Sequence, residues 1–296
     1  MPKPAFSRIV LIGKHTPEIA ESLRALRQLL RSRGCEVRVE QETAARIGDG
    51  EDSIALERVG AYADLAIVLG GDGTMLGAAR SLAPHGVPLV GVNQGRVGFM
   101  TDIALRDLPA SVGAILDGDY RLEERALLDA EILRGKSRLL RTVALNEAVV
   151  GKGSQGRLIE VEVHIDGEYV YALRADGLIV ATPTGSTAYA LSAQGPILQP
   201  GVGAFALVPL NPHVLSARPV SVSDRSTIEV SLLRALDARA HFDGLALTEL
   251  AQGDRLVLRR AKNAARFVHP PGYSYFAMLR EKLSWSEAAE RGSEQD

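Results

Sequence analysis

Along the first third of the chain, apolar runs at residues 9–13, 65–69 and 87–92 alternate with stretches whose apolar side chains recur every three to four positions. The runs read as buried strands and the periodic stretches as amphipathic helices. In residues 17–33, Leu23, Leu26, Leu29 and Leu30 share one helical face, and Gly34 is the stop. Val37 and Val39 alternate with charge, and further helices are expected over residues 53–62, 74–82 and 105–116. Strands alternating with helices predict a parallel sheet that binds ligands at the C-terminal ends of its strands. From about Tyr120 a period of two takes over. Residues 160–165 and 169–173 flank Asp166-Gly167, a hairpin signal, and strands are expected at 130–133, 178–181, 206–208, 227–232 and 255–258, with a turn at Asp243-Gly244. This half predicts an antiparallel β-sandwich.

The period changes between Asp119 and Leu145, so the expected division is an α/β domain over residues 1–125, an all-β C-terminal sandwich over 126–270 and an extension over 271–296 with a frayed polar tail. No repeat or low-complexity linker separates the halves, and a ligand site is expected between them.

Composition narrows the function without naming it. The 296 residues are 46% apolar and 24% charged, ordinary for a globular protein. Lys and Arg total 34 against 36 Asp and Glu, which leaves no basic excess for nucleic acid or an anionic membrane. The single cysteine, Cys35, excludes an intrachain disulfide and reads as packing. The Met1-Pro2-Lys3-Pro4 start lacks a signal-peptide core, and Gly, Pro or charge interrupts every apolar stretch before a spanning length of ~20 residues. A cytoplasmic protein is expected.

Two glycine-rich turns carry the candidate chemistry. Gly70-Gly71-Asp72-Gly73-Thr74 leaves a strand and opens a helix, and Pro183-Thr184-Gly185-Ser186-Thr187-Ala188-Tyr189 leaves another. Glycines let backbone N–H groups approach a phosphate. A carboxylate in such a cradle repels phosphate, so Asp72 is expected to accept a hydroxyl proton, contact a sugar or hold a metal. The plain alternative makes Asp72 or Thr74 a helix cap. A third glycine-rich exit, residues 93–98, carries Arg96. No Walker-type Gly-Lys-Thr is present. Asn146 and Glu147 offer donors and acceptors for a nucleoside. Thr184, Ser186, Thr187, Tyr189 and Ser192 crowd hydroxyls into a small space suited to a sugar-phosphate, unless they only bond their own backbone.

Gly-Gly-Asp-Gly-Thr, Asn146-Glu147 and the run from Asp176 through Thr182-Pro183-Thr184-Gly185-Ser186-Thr187-Ala188-Tyr189, with Pro212-His213 to Leu215-Ser216 and Arg218-Pro219, resemble the bacterial NAD kinases over nearly the whole chain. The resemblance implies a Rossmann-like, phosphofructokinase-like α/β N-terminal domain followed by the sandwich. It implies transfer of the ATP γ-phosphoryl group to the 2′-hydroxyl of the adenosine ribose of NAD, a divalent cation (Mg²⁺) carried with ATP, and a homodimer or homotetramer. By position, Asp72 resembles the general base, with Gly73 beside it. Asn146 and Glu147 resemble nucleoside contacts. Asp176, Thr187, Ala188, Tyr189, Ala190, Leu191 and Ser192 resemble the rest of the dinucleotide pocket, and Arg157 and Arg174 resemble further contacts. No metal ligand of the protein's own is implied. Gln194 stands where a small residue is usual and is expected to narrow the pocket; Leu245 stands where Gln is common and removes a polar contact. His213 and His241 read as structural, with no triad or metal spacing around them. A lipid kinase sharing the glycine-acid loop and a non-catalytic dinucleotide sensor are the rival readings.

Overall fold

The computed structural model describes residues 3–14, 19–48, 50, 52–93, 98–154, 156–214 and 216–285. In chain order the elements are β1 (Arg8–Gly13), α1 (Ala20–Ser32), β2 (Glu36–Glu40), α2 (Gln41–Ile47), β3 (Ser53–Ile54), α3 (Leu56–Tyr62), β4 (Leu65–Leu69), α4 (Asp72–Leu82), β5 (Leu89–Asn93), β6 (Ile103–Ala104), α5 (Leu108–Leu116) and β7 (Arg121–Arg125). There follow β8 (Leu128–Arg134), β9 (Ser137–Ala144), β10 (Glu147–Lys152), β11 (Ile159–Ile165), β12 (Glu168–Ala175), β13 (Gly177–Ala181), α6 (Tyr189–Ser192) and β14 (Ala204–Leu210). Last come β15 (Val220–Ser223), β16 (Ile228–Arg234), β17 (Ala238–Phe242), β18 (Leu245–Leu250), β19 (Arg255–Arg260), β20 (Ala265–His269) and α7 (Tyr275–Leu283). Two compact units result, Met1–Glu124 with Ala265–Asp296, and Arg125–Ala264. Among the described residues, no helix is long and apolar enough to cross a membrane.

The first unit is built on a sheet in the order β3-β2-β1-β4-β5-β20-β7, with β6 beside β5. The β1–β2, β1–β4 and β4–β5 pairs are parallel. Helices cover both faces of such a sheet, which is why β4 is an unbroken apolar run and buried throughout. Leu23, Leu26 and Leu30 of α1 pack with Ile9, Leu11, Val37 and Ile67, each buried Leu contributing roughly 1.5–3 kcal/mol. Gly34 follows α1 at φ +81°, a left-handed turn that ends it. Cys35 is buried, and burial pushes its thiol up from the ordinary value.

Two segments differ from the periodic reading. Residues 53–62 divide into the short strand β3 and helix α3. The unforeseen α2 starts on Glu40, whose carboxylate accepts the N–H groups of Glu42 and Thr43, both at 2.8 Å. Glutamate is an uncommon residue for that role, so the sequence carries no ordinary start signal there. The contacts also divide the chain differently from the expected 126–270 and 271–296 boundaries. Strand β20 lies in the first unit, parallel to β5 with Phe267 opposite Leu89, and α7 belongs to that unit too. The change of period near residue 120 gives no signal that the chain returns to the first sheet. The tail at 286–296 and residues 94–97, including Arg96, lie outside the described residues.

The second unit is a sandwich of two six-stranded sheets, β15-β14-β13-β10-β17-β18 and β12-β11-β16-β19-β8-β9. Ile132, Val161, Val163, Phe205, Phe242 and Leu258 meet in its core. Asp166 and Gly167 have φ of +53° and +83°, and Asp243 and Gly244 have +55° and +68°. Paired left-handed residues are what a two-residue hairpin turn needs. Ala190 of α6 packs on Val149, Ile179, Ala181, Ala206 and Val208, on the outer face of the first sheet. This covering explains why β13 is buried along its whole length.

Candidate active site

Asp72 occupies the first turn of α4, but no side chain caps that helix. Its carboxylate instead points to a segment nearly thirty residues on. Phe99 N–H donates to Oδ2 at 2.9 Å, Met100 N–H to Oδ1 at 3.0 Å, and the Thr101 hydroxyl to Oδ1 at 3.3 Å. The Thr101 oxygen itself accepts from Asn93 Nδ2 at 2.9 Å and Gly98 N–H at 3.2 Å. One hydroxyl donates once and accepts twice, so the fully buried Thr101 is saturated and its donor direction fixed. A Cβ on Gly98 would collide with the Asp72 carboxylate, which explains the glycine at the close of that loop. Each Asp72 oxygen retains acceptor capacity for a further hydroxyl.

The glycines around Asp72 serve space rather than backbone strain, since none of Gly70, Gly71 or Gly73 has a positive φ. A Cβ on Gly70 would meet Thr74 Oγ1 at 2.6 Å, whereas Gly71, Gly73 and Gly77 face open space. Gly73, Thr74, Gly77, Ala78 and Ser81 line one wall of a cavity of about 850 Å³, and Gly13, Lys14, Glu40, Glu42 and Glu57 lie around its remainder. This cavity lies where β1 and β4, neighbours whose helices diverge to opposite sides, end: the place where an open parallel sheet binds its ligand.

In the second unit the organising residue is Asp243, which sequence reading treated only as a turn. Its carboxylate accepts three consecutive N–H groups, from Leu145 at 2.9 Å, Asn146 at 2.7 Å and Glu147 at 3.1 Å. Gly185 packs so closely on Asn146 that a Cβ would overlap its backbone, and Thr182 N–H donates to Asn146 O at 2.8 Å. These contacts bring the second glycine turn onto the Asn146-Glu147 pair. Glu147 is 6% exposed and its Oε2 has no hydrogen-bond partner. Burial first, then the Asp243 carboxylate, push its pKa up to about 7, against the Tyr189 N–H bond that lowers it.

Glu147 borders a cavity of about 460 Å³ with Lys152, Asp176, Tyr189, Asn211 and His241. Asp176 pairs with Lys152 and accepts from Asn211 Nδ2 at 2.9 Å, and these bonds hold its carboxyl below the usual range. His241, expected to be structural, borders this cavity; burial and then Arg239 lower its pKa.

The remaining expected residues scatter in role. Tyr189 is 48% exposed and borders the cavity, while Ala190 is buried in packing on the sheet. Ala188 and Leu191 are half-buried and Ser192 is exposed. The hydroxyls of Ser186 and Thr187 donate to the carbonyls of Pro183 and Thr184, so the loop spends these two on itself, while Thr182 donates to the Leu145 carbonyl beside Asn146. Arg157 and Arg174 are exposed and do not line the cavity. His213 is exposed; the side chain of Leu245 lies outside the described residues.

Gln194 is exposed at φ +62° and does not line the cavity either. Its departure from a small residue is therefore a backbone matter. A left-handed non-glycine costs roughly 1–2 kcal/mol, part of which glycine loses again through chain entropy. Gln194→Gly is expected to stabilise the fold by about 0.5–1 kcal/mol, seen as a higher denaturation midpoint with an unchanged slope.

Comparison with known proteins identifies the family. The family descriptions "ATP-NAD kinase N-terminal domain" and "ATP-NAD kinase C-terminal domain" match residues 9–120 and 145–270. The chain is 56% identical over 289 residues to the NAD kinase of Aromatoleum aromaticum, covering 97% of this chain and 96% of that relative. Among solved structures, yeast NADH kinase complexed with NADH superposes with a TM-score of 0.84 at 24% identity, covering 94% of this chain and 86% of that one. An NAD kinase from Archaeoglobus fulgidus in complex with ATP does so with a TM-score of 0.75 at 25% identity, covering 94% and 98%. With both family domains matched in order and a relative more than half identical along nearly its full length, the chain belongs to the ATP-NAD kinase family.

Proposed function

We propose that the chain transfers the γ-phosphoryl group of ATP to the 2′-hydroxyl of the adenosine ribose of NAD, forming NADP and ADP, with Asp72 as general base. The observation that carries the residue assignment is the Asp72 carboxylate itself. It does not cap its helix, it is aimed by three donors, and it stands beside glycines that leave the space next to it open.

In the proposed reaction the bond from the ribose oxygen to phosphorus forms as the bond from phosphorus to the ADP oxygen breaks. Asp72 accepts the hydroxyl proton, and no covalent enzyme intermediate is needed. The 850 Å³ cavity beside Gly73 and Thr74 suits the donor nucleotide, since first-turn N–H groups of a helix favour anions. A divalent cation bound to ATP, Mg²⁺ in this reading, would supply charge neutralisation to its phosphates. Asn146, Glu147 and Tyr189 bind the dinucleotide, with Glu147 accepting from sugar hydroxyls and the Tyr189 ring packing on a planar group. The resemblance to bacterial NAD kinases supports a homodimer or homotetramer, and the lack of a signal-peptide core in the sequence supports a cytoplasmic location. Positioning, rather than new bonds to the protein, supplies most of the acceleration.

An assay coupling NADP formation from NAD and Mg-ATP to an NADP-specific dehydrogenase tests the reaction; folded protein that forms no NADP overturns it. Tyr189→Ala tests the dinucleotide side. Loss of one aromatic contact of about 1–1.5 kcal/mol predicts a five- to tenfold rise in KM for NAD, with kcat held.

A further inference from the structure

The last residue of β20, His269, is 2% exposed. Its Nδ1 lies 2.8 Å from Asp102 Oδ2, and its Nε2 lies 3.8 Å from Glu123 Oε1. Tyr273 stacks on the imidazole with centroids 3.8 Å apart and planes 8° apart, and Phe267 lies in a parallel orientation at 6.4 Å. A ring held between two carboxylates and two aromatic planes cannot swing freely, so the Asp102 contact has one geometry.

Asp102 is the residue that immediately follows the donors to Asp72. Phe99, Met100 and Thr101 hold the carboxylate, Asp102 meets His269, and Ile103-Ala104 then join β5 as β6. This segment also lies directly on β5, where a Cβ on Gly91 would collide with the Met100 carbonyl. The donors are therefore anchored from below by β5 and on their C-terminal side by His269. His269 lies 197 positions from Asp72 in sequence, yet its partner Asp102 directly follows Thr101, a residue that bonds the carboxylate.

We propose that His269 is a positioning residue for Asp72: by holding Asp102 it fixes the 98–101 segment, whose N–H and hydroxyl groups aim the carboxylate at its substrate. The proposal rests on Asp72 being the base. Nothing in it requires His269 to touch a substrate. A displacement of about 1 Å at a reacting group can cost on the order of 100-fold in rate, so a modest relaxation of this segment is measurable.

The test uses His269→Gln and Asp102→Asn in the full-length protein, each assayed for kcat and for KM of NAD and ATP. Both variants are expected to lose about 10- to 100-fold in kcat while either KM moves by no more than about twofold. Hydrogen exchange is expected to quicken in peptides covering 98–102 and to stay unchanged in β4. Combined with Asp72→Asn, His269→Gln is expected to add no further loss, because its effect passes through that carboxylate. A kcat within about twofold of the parent in both folded variants overturns the proposal. So does a loss that multiplies with that of Asp72→Asn, or exchange that quickens throughout the unit. If His269→Gln does not fold, Asp102→Asn, at a partly exposed side chain, decides alone by the same criteria. Normal turnover in Asp72→Asn would show that the base assignment has failed; low turnover there with normal turnover in the His269 and Asp102 variants would show that only the positioning role has.

Discussion

Asp72→Asn is expected to lower kcat at saturating NAD and Mg-ATP by about 100- to 10,000-fold, the usual span of a general-base contribution. Asparagine keeps the size and one acceptor oxygen but has no basic lone pair on its nitrogen. NAD affinity should change little. The cradle adds a second, smaller consequence. Phe99 and Met100 donate to different oxygens of the carboxylate, and an amide can accept from only one of them. One partly buried N–H then faces an NH₂ group, which predicts a stability loss of about 1 kcal/mol. Were Asp72 a helix cap, asparagine would serve as well and neither stability nor turnover would fall. Turnover within a few-fold of the parent, with binding intact, would remove Asp72 as the base.

Local order in this chain was legible where a single stretch carries its own cause. The run Leu65–Leu69 is buried on both faces, so its composition alone identifies it as an interior parallel strand. Asp166-Gly167 must be left-handed at both positions, and few other dipeptides tolerate that. Leu23, Leu26 and Leu30 meet the sheet as their spacing requires. Helix α2 was not legible because a glutamate does the work of a shorter capping side chain. Strand β20 is not singled out by the sequence pattern, and its place in the first unit is set by β5, far back in the chain.

The site followed the same division. The two glycine turns and Asn146-Glu147 stand out in sequence because each is contiguous. What aims them does not. The donors to Asp72 come from residues 99–101, and the carboxylate that organises Asn146 and Glu147 comes from Asp243, 97 positions away from Asn146. The signals that could have found them are Gly98, a glycine where no left-handed turn demands one, and Asp243-Gly244, an acid in a turn beside a candidate nucleoside site. The hydroxyl-rich loop misled in the opposite sense. Its Ser186 and Thr187 hydroxyls close the loop on its own carbonyls, and Tyr189 is the residue of that turn that borders the cavity.

Glu147→Gln is expected to change the dependence of stability on pH by up to about 3 kcal/mol, the worth of a carboxyl whose pKa rises from 4.5 to about 7. The folded chain binds this proton more tightly than the unfolded chain does. The contribution is therefore complete below pH 4.5 and is lost as pH rises through about 7. Glutamine has no such proton, so the difference in unfolding free energy between parent and variant should move in favour of the variant from pH 5 to pH 8. Other titrating groups are common to both proteins and cancel in that difference. Binding should respond in the opposite direction. An ionised Glu147 accepts from two ribose hydroxyls where a neutral side chain accepts from one, so the parent's KM for NAD is expected to rise as pH falls below about 7, and the variant's to stay flat and high. The energy lost by ionising a buried carboxylate beside Asp243 is then recovered when the ribose supplies hydrogen to the oxygen that has no partner. Denaturant titrations at pH 5 and pH 8, with NAD saturation curves at the same two values, measure both halves. Parallel stability profiles for parent and variant would show that Glu147 is already ionised at pH 5, and a parent KM for NAD that is equal at both pH values and equal to the variant's would show that its unpartnered oxygen is not what the dinucleotide satisfies.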